Sequence, residues 1–139
     1  TFYFGKGCCP VHATLTKEDV LFALSEHAGA LFLAHPECSE EVTALAAYTG
    51  STSGIIAYAE GSDCKKFVVG TEEGVLYELK KRCPEKEFYF PKPEFVCGDM
   101  KKITPEKVLA ATKGTPVTVE EGTRRLAERA LKRMMELAK

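Results

Sequence analysis

Ala30-Leu31-Phe32-Leu33-Ala34 carries no polar side chain, and such a run suits a strand buried on both faces, as in a parallel sheet. Lys66-Phe67-Val68-Val69 and Glu87-Phe88-Tyr89-Phe90 read as further strands, and Tyr48-Thr49-Gly50 as a minimal one. Helical segments lie between them. Thr16 opens the first, with Asp19 set for a capping box, apolar Val20, Leu21, Leu24 and Ala28 at helical spacing, and Gly29 as its end. Ser39 caps a second, from Glu40 to about Ala47; Ser51-Thr52-Ser53-Gly54 opens a third, running through Ala59. A fourth runs from about Glu73 to Arg82 and breaks before Pro84. Thr1-Phe2-Tyr3-Phe4 reads as a short aromatic strand followed by the turn Gly5-Lys6-Gly7, so the chain starts as if cut from something larger. Strand, loop and helix repeat with short connections. The expected fold class is therefore α/β, a three-layer α/β/α domain around a short, mainly parallel sheet. Right-handed crossovers would put helices on both faces and functional loops at the strand C-terminal ends.

Beyond residue 90 the pattern changes. Pro91 to Met100 is a loop with two prolines, Thr104-Pro105-Glu106 starts a helix with proline in its first turn, and Pro116 to Val119 is extended. Residues 120–139 form an amphipathic helix with Leu126, Ala130, Leu131, Met134 and Leu137 on one face.

Charge narrows the function. Nineteen basic against twenty acidic residues give a net charge of -1, so no basic field is available to hold nucleic acid. No apolar run approaches the roughly 18 residues that span a membrane, and no signal peptide is visible. The six cysteines, Cys8, Cys9, Cys38, Cys64, Cys83 and Cys97, sit in a core-forming α/β pattern without secretory context, which favours free thiols over disulfides. Most read as small buried hydrophobes. Nothing near Cys64 or Cys83 suggests a role, and His27 reads as a surface residue at a helix end.

Three loops at strand ends carry Cys or His: Cys9-Pro10-Val11-His12, His35-Pro36-Glu37-Cys38 and Phe95-Val96-Cys97-Gly98. In a parallel sheet they converge on one edge. The plain reading is unrelated loops. Cys9, His12, His35 and Cys38 also fit, loosely, a structural zinc site, and thiolates could instead hold an iron–sulfur cluster. Glu37 reads either as a solvated loop glutamate or as a general acid/base. Ser51 to Gly54 reads either as a helix cap or as an anion site for phosphate or carboxylate. Gly70-Thr71-Glu72-x-Gly74 reads as a strand-to-helix turn with Thr71 capping. A stand-alone anion-binding or structural zinc-binding module is thus open from the residues alone.

Taken in order and spacing, Gly7-x-Cys9-Pro10-Val11-His12, His35-Pro36-Glu37-Cys38, Gly50-Ser51-Thr52-Ser53-Gly54, Gly70-Thr71-Glu72-x-Gly74 and Val96-Cys97-x-x-Met100-Lys101 resemble quinolinate synthase. The resemblance covers about residues 5–103, and Arg133-Met134-Met135-Glu136 also looks like the family's ending. It implies an enzyme, a transferase of NAD biosynthesis in the cytoplasm, built from three similar α/β domains around one 4Fe–4S cluster. That enzyme condenses iminoaspartate with dihydroxyacetone phosphate to give quinolinate, phosphate and water. By match, Cys9 and Cys97 are two of three cluster ligands, and the third belongs to an N-terminal half not in this sequence. His12 and His35 match substrate-contacting histidines, Glu37 the acid/base, and Ser51 and Thr52 hydroxyls that hold anionic groups. Cys38 is implied to pack rather than to ligate. The resemblance bounds the end of a middle domain at residues 1–12, a complete α/β domain at 13–90, and a cluster-ligand loop with helices returning toward the N-terminal domain at 91–139. It names that N-terminal half and a homodimer mate as partners. It leads us to expect that the last helix exposes or pairs an apolar face, and that these 139 residues alone are inactive.

Overall fold

The computed structural model describes residues 8–93, 95–114 and 116–138; the expected strand Thr1–Phe4 and turn Gly5–Gly7 lie outside them. The chain divides into two compact units, the first ending at Met100 and the second beginning at Lys101.

In the first unit a 3₁₀ turn, His12–Thr14, precedes α1 (Lys17–Glu26), β1 (Leu31–Ala34), α2 (Glu40–Thr43), β2 (Tyr48–Thr49), α3 (Thr52–Gly61), β3 (Lys66–Gly70), α4 (Val75–Arg82) and β4 (Glu87–Tyr89). The strands lie in the order β2-β1-β3-β4 and all pairs are parallel, with Leu33 opposite both Tyr48 and Val69. The unbroken apolar runs are explained by what each face meets. Phe32, Ala34 and Val68 face a core with Val20 and Ala23 of α1 and Val42 of α2. The alternate residues Leu33, Phe67 and Val69 face Ile55, Ile56 and Ala59 of α3 and Val75 and Leu79 of α4. The period-two alternation of a strand therefore fills two cores, and the domain is three-layered α/β/α.

Local chemistry sets the element ends. Thr16 Oγ1 accepts from the Asp19 amide and the Asp19 carboxylate accepts from the Thr16 amide, completing the capping box. Gly29 takes φ +81°, the left-handed turn that glycine adopts freely. Three expectations need correction. The second helix stops at Thr43, not near Ala47, because the Ala47 amide donates to Phe32 O in the sheet instead of continuing the helix. Ser39 precedes that helix without a side-chain cap. In α1, Leu21 stays exposed and the inward face is Val20, Ala23 and part of Leu24.

One buried cation was not visible in the pattern. Lys86, 8% exposed, sends Nζ to the carbonyls of Ala59 (2.6 Å) and Ser62 (2.7 Å) at the C-terminal end of α3. It satisfies acceptors that the helix end leaves open and complements the helix dipole. Lys86→Met should strip those carbonyls of their donor and destabilise the unit by about 1–3 kcal/mol, seen as a lower urea midpoint with an unchanged slope.

The second unit contains a 3₁₀ turn at Met100–Lys102 that begins on its boundary, then α5 (Pro105–Lys113) and α6 (Glu121–Leu137). Thr104 caps α5 through the Lys107 amide, with Pro105 in the first turn. Glu120 caps α6 by accepting from the Gly122 and Thr123 amides. No described residue of either helix is buried, and Leu126, Leu131, Met134 and Leu137 are all more than half exposed. The amphipathic face is present as expected, and its described residues are exposed.

Candidate active site

Strand order locates the mouth of the domain. From β1 the chain moves outward to β2, then crosses back to β3 on the other side, so the direction of winding reverses between β1 and β3. In such sheets the crevice opens outside the C-terminal ends of those two strands. His35 follows β1 and Thr71 follows β3. The His35 amide still donates to Gly70 O at 3.1 Å, holding the two strand exits side by side. Gly70 is small for a reason: a Cβ there would stand 2.8 Å from the Phe32 ring.

His12 drops into this crevice from its 3₁₀ turn, which is fixed by the Ala13 amide on Cys9 O. It is buried, with Nε2 3.1 Å from Thr71 Oγ1 and Nδ1 3.2 Å from Glu37 Oε2. The His35 ring stacks on it, centroids 4.3 Å apart and planes within 5°. The geometry suits one tautomer: with its proton on Nδ1, His12 donates to Glu37 Oε2 and the Thr71 hydroxyl donates to Nε2. His35 Nδ1 accepts the Glu37 amide (3.3 Å), so its own proton belongs on Nε2 and its 3.5 Å approach to Glu37 Oε2 is not a hydrogen bond. Burial, and then the neighbouring His35, lower the His12 pKa below the ordinary histidine value, only partly offset by Glu37. His12 is thus held neutral, beside a carboxylate whose side chain is 53% exposed at the mouth.

Cys9 joins this group: one donor atom each from Cys9, His12 and Glu37 lie within 4.8 Å of one another. Cys38 does not. It is buried, its Sγ is directed at Gly70 O (3.6 Å), and burial raises its pKa to about 11. The loose zinc set of Cys9, His12, His35 and Cys38 is therefore not assembled, because its second thiol, Cys38, is directed into the core. Cys97 lies on a loop stitched to the β3 exit. Its amide donates to Glu72 Oε1 (3.3 Å), the Glu73 amide donates to Phe95 O (2.9 Å), and the buried Phe95 ring meets His12 edge-on at 6.0 Å. Cys9, Cys64 and Cys97 are free and half-buried, Cys8 is exposed, and Cys38 and Cys83 are buried.

Ser51 and Thr52 begin α3 at the same sheet edge, next to β1 through the Gly50 amide on Ala34 O. Ser51 Oγ accepts the Gly54 amide (3.3 Å) and meets Ser53 Oγ (3.1 Å), so the capping reading holds; no side-chain bond joins these residues to the histidine group among the described residues. Thr71 is not a cap: α4 begins after Gly74, and the Gly74 amide is held by Glu72 Oε2 (2.7 Å). His27 is half-buried against Tyr89, centroids 3.5 Å apart, rather than free at the surface. Thr71 and Phe95 contact His12 and Glu72 holds the Cys97 loop, whereas sequence reading gave Thr71 and Glu72 to a turn and Phe95 only a place in the Cys97 loop; the Gly-Thr-Glu-x-Gly pattern signalled the first two.

Comparison with known proteins is consistent along nearly the whole chain. The family described as NadA, Quinolinate synthetase A protein, matches residues 1–136. Quinolinate synthase of Caldicellulosiruptor saccharolyticus is 45% identical over 135 residues, covering 96% of this chain and 45% of that protein. The Thermodesulfovibrio yellowstonii quinolinate synthase is 42% identical over 133 residues, covering 94% and 44%. That of Geotalea uraniireducens is 41% identical over 139 residues, covering 99% and 46%. The chain thus spans less than half the length of these curated relatives.

Proposed function

This chain belongs to the quinolinate synthetase A family, and from that premise we propose that it supplies the C-terminal share of a quinolinate synthase active site. The reaction is condensation of iminoaspartate with dihydroxyacetone phosphate to quinolinate, as a cytoplasmic step toward NAD. The observation that supports this reading most is the gathering of Cys9, His12, His35 and Glu37 at the mouth between β1 and β3.

Cys9 and Cys97 would hold a 4Fe–4S cluster together with a third thiolate from outside this chain; when bound, it supplies a Lewis-acidic iron that polarises substrate oxygen. The protein's own groups do the proton work. Glu37 is open to solvent and hydrogen-bonded to His12, so it can take a proton from substrate carbon or nitrogen and return it to a leaving hydroxyl. Thr71 and Glu37 fix the His12 tautomer, and the stacked His35 offers an Nε2–H donor to substrate oxygen. The first-turn amides of α3, with Ser51 and Thr52, suit the phosphate or a carboxylate. The uncovered apolar face of α6 is the surface on which the N-terminal half would pack; a homodimer mate is the other partner in this reading. Residues 13–90 act as a complete domain and 91–139 return toward the first.

The test is anaerobic reconstitution with iron and sulfide, assaying quinolinate. The 139 residues alone should give none. Joined to the N-terminal half of the Caldicellulosiruptor saccharolyticus relative they should turn over, and Cys97→Ser should abolish it. Turnover by the chain alone, or an indifferent Cys97→Ser, would refute the reading.

A further inference from the structure

We propose that Glu72 is a positioning residue: its carboxylate sets the Cys97 thiol at the mouth of the domain before any iron arrives. The clamp itself is read from this chain; that it serves a cluster rests on the function proposed above.

Two neighbouring residues leave β3 with buried polar side chains, Thr71 at 3% exposure and Glu72 at 8%. A carboxylate is costly to bury unless its oxygens are bonded. Those of Glu72 are. Oε2 accepts the Gly74 amide at 2.7 Å and Oε1 accepts the Cys97 amide at 3.3 Å, so each oxygen takes one backbone donor. The first bond is local. An aspartate would make it equally well, because its shorter side chain bonds the amide two residues on. The extra methylene of glutamate is needed for the second bond, which crosses 25 residues to the Cys97 loop.

That bond does not act alone. The Glu73 amide donates to Phe95 O at 2.9 Å, and Phe95 is itself buried. The turn after β3 therefore grips the loop at the Phe95 carbonyl and at the Cys97 amide, on both sides of Val96. With the backbone fixed at these two points, the half-buried Cys97 thiol has mainly its χ1 rotation left to search. The same turn serves the other part of the site. Gly70 O accepts the His35 amide at 3.1 Å, and Thr71 Oγ1 lies 3.1 Å from His12 Nε2. Residues 70–73 thus hold the histidine pair and the Cys97 loop in one frame, and Glu72 supplies the side-chain bond from that frame to Cys97. A ligand fixed in advance loses less freedom on ligation, so the group it holds is bound more tightly.

The test pairs Glu72→Asp with amide exchange followed by NMR. In the parent chain the Cys97 and Gly74 amides should both be protected. Glu72→Asp keeps the charge and the Gly74 bond but falls short of Cys97. The Cys97 amide should then exchange about 10-fold faster or more, as for a lost bond to a charged group, with Gly74 protection and the urea midpoint little changed. In the two-part enzyme loaded with iron and sulfide, Glu72→Asp should hold iron about 10–100-fold less tightly, read as bleaching of the visible cluster absorption against an iron chelator. Glu72→Gln, at full length but with one acceptor oxygen, serves if the shorter side chain unsettles the fold, and its cluster should likewise bleach faster than the parent's. An unprotected Cys97 amide in the parent, or one that exchanges equally in Glu72→Asp, overturns the proposal. Bleaching equal to the parent's in these variants, while Cys97→Ser loses the cluster, overturns it and leaves the function standing. A cluster indifferent to Cys97→Ser overturns both.

Discussion

Glu37→Gln in the two-part enzyme should cut kcat by about 10²–10⁴-fold while the unfolding midpoint of the chain stays put. The substitution is nearly isosteric and leaves a carbonyl oxygen to accept the His12 Nδ1–H, so the imidazole keeps its orientation. Only the capacity to take and return a proton disappears. The fold should respond little, because the Glu37 side chain is 53% exposed and the amide oxygen keeps the bond to buried His12. KM should move far less than kcat if binding rests on the α3 N-terminus and the histidines. A rate within a few-fold of the parent's would remove Glu37 from the chemistry.

Phe67→Ala should cost about 3–5 kcal/mol. Phe67 is fully buried on a central strand, lies near-parallel to the Phe88 ring with centroids 5.7 Å apart, and has Lys86 Nζ 5.9 Å from its ring centroid. Truncation empties the middle of the core shared by β1, β3, α3 and α4. Against a typical domain stability of about 5–15 kcal/mol, the loss leaves a marginal or unfolded chain at 37 °C. Equilibrium urea unfolding checks it, and a shift under about 1 kcal/mol would contradict the packing described.

What could be read from the sequence follows from locality. β1 and β3 were legible because a strand buried on both faces needs apolar residues at every position, and that signal is contiguous. α1 was legible because its capping box joins residues only three positions apart. The end of α2 was not, since Ala44 to Ala47 would suit a helix and only the sheet, by claiming the Ala47 amide, stops it. Leu21 fits a helical apolar face, yet which side of that face turns inward is decided by Phe32 and Val42, far along the chain. The site divides the same way. The Cys-x-x-His and His-Pro-Glu-Cys clusters stood out as chemistry placed at strand ends. Thr71 did not, because its role is a bond to a residue 59 positions away, and a threonine after a strand is ordinarily a turn former. Glu72 was hidden likewise: its carboxylate holds the Cys97 loop across 25 residues.

The central claim is that loops far apart in the chain bring Cys9 and Cys97 to one point at the sheet edge. A short two-armed thiol reagent such as dibromobimane, applied to the reduced chain carrying Cys8→Ser and followed by peptide mass analysis, tests this directly. The expected product is a cross-link joining the Cys9 and Cys97 peptides, in preference to any pair containing Cys64. Separate single labels on Cys9 and Cys97, or a bridge from Cys97 to Cys64, would contradict it.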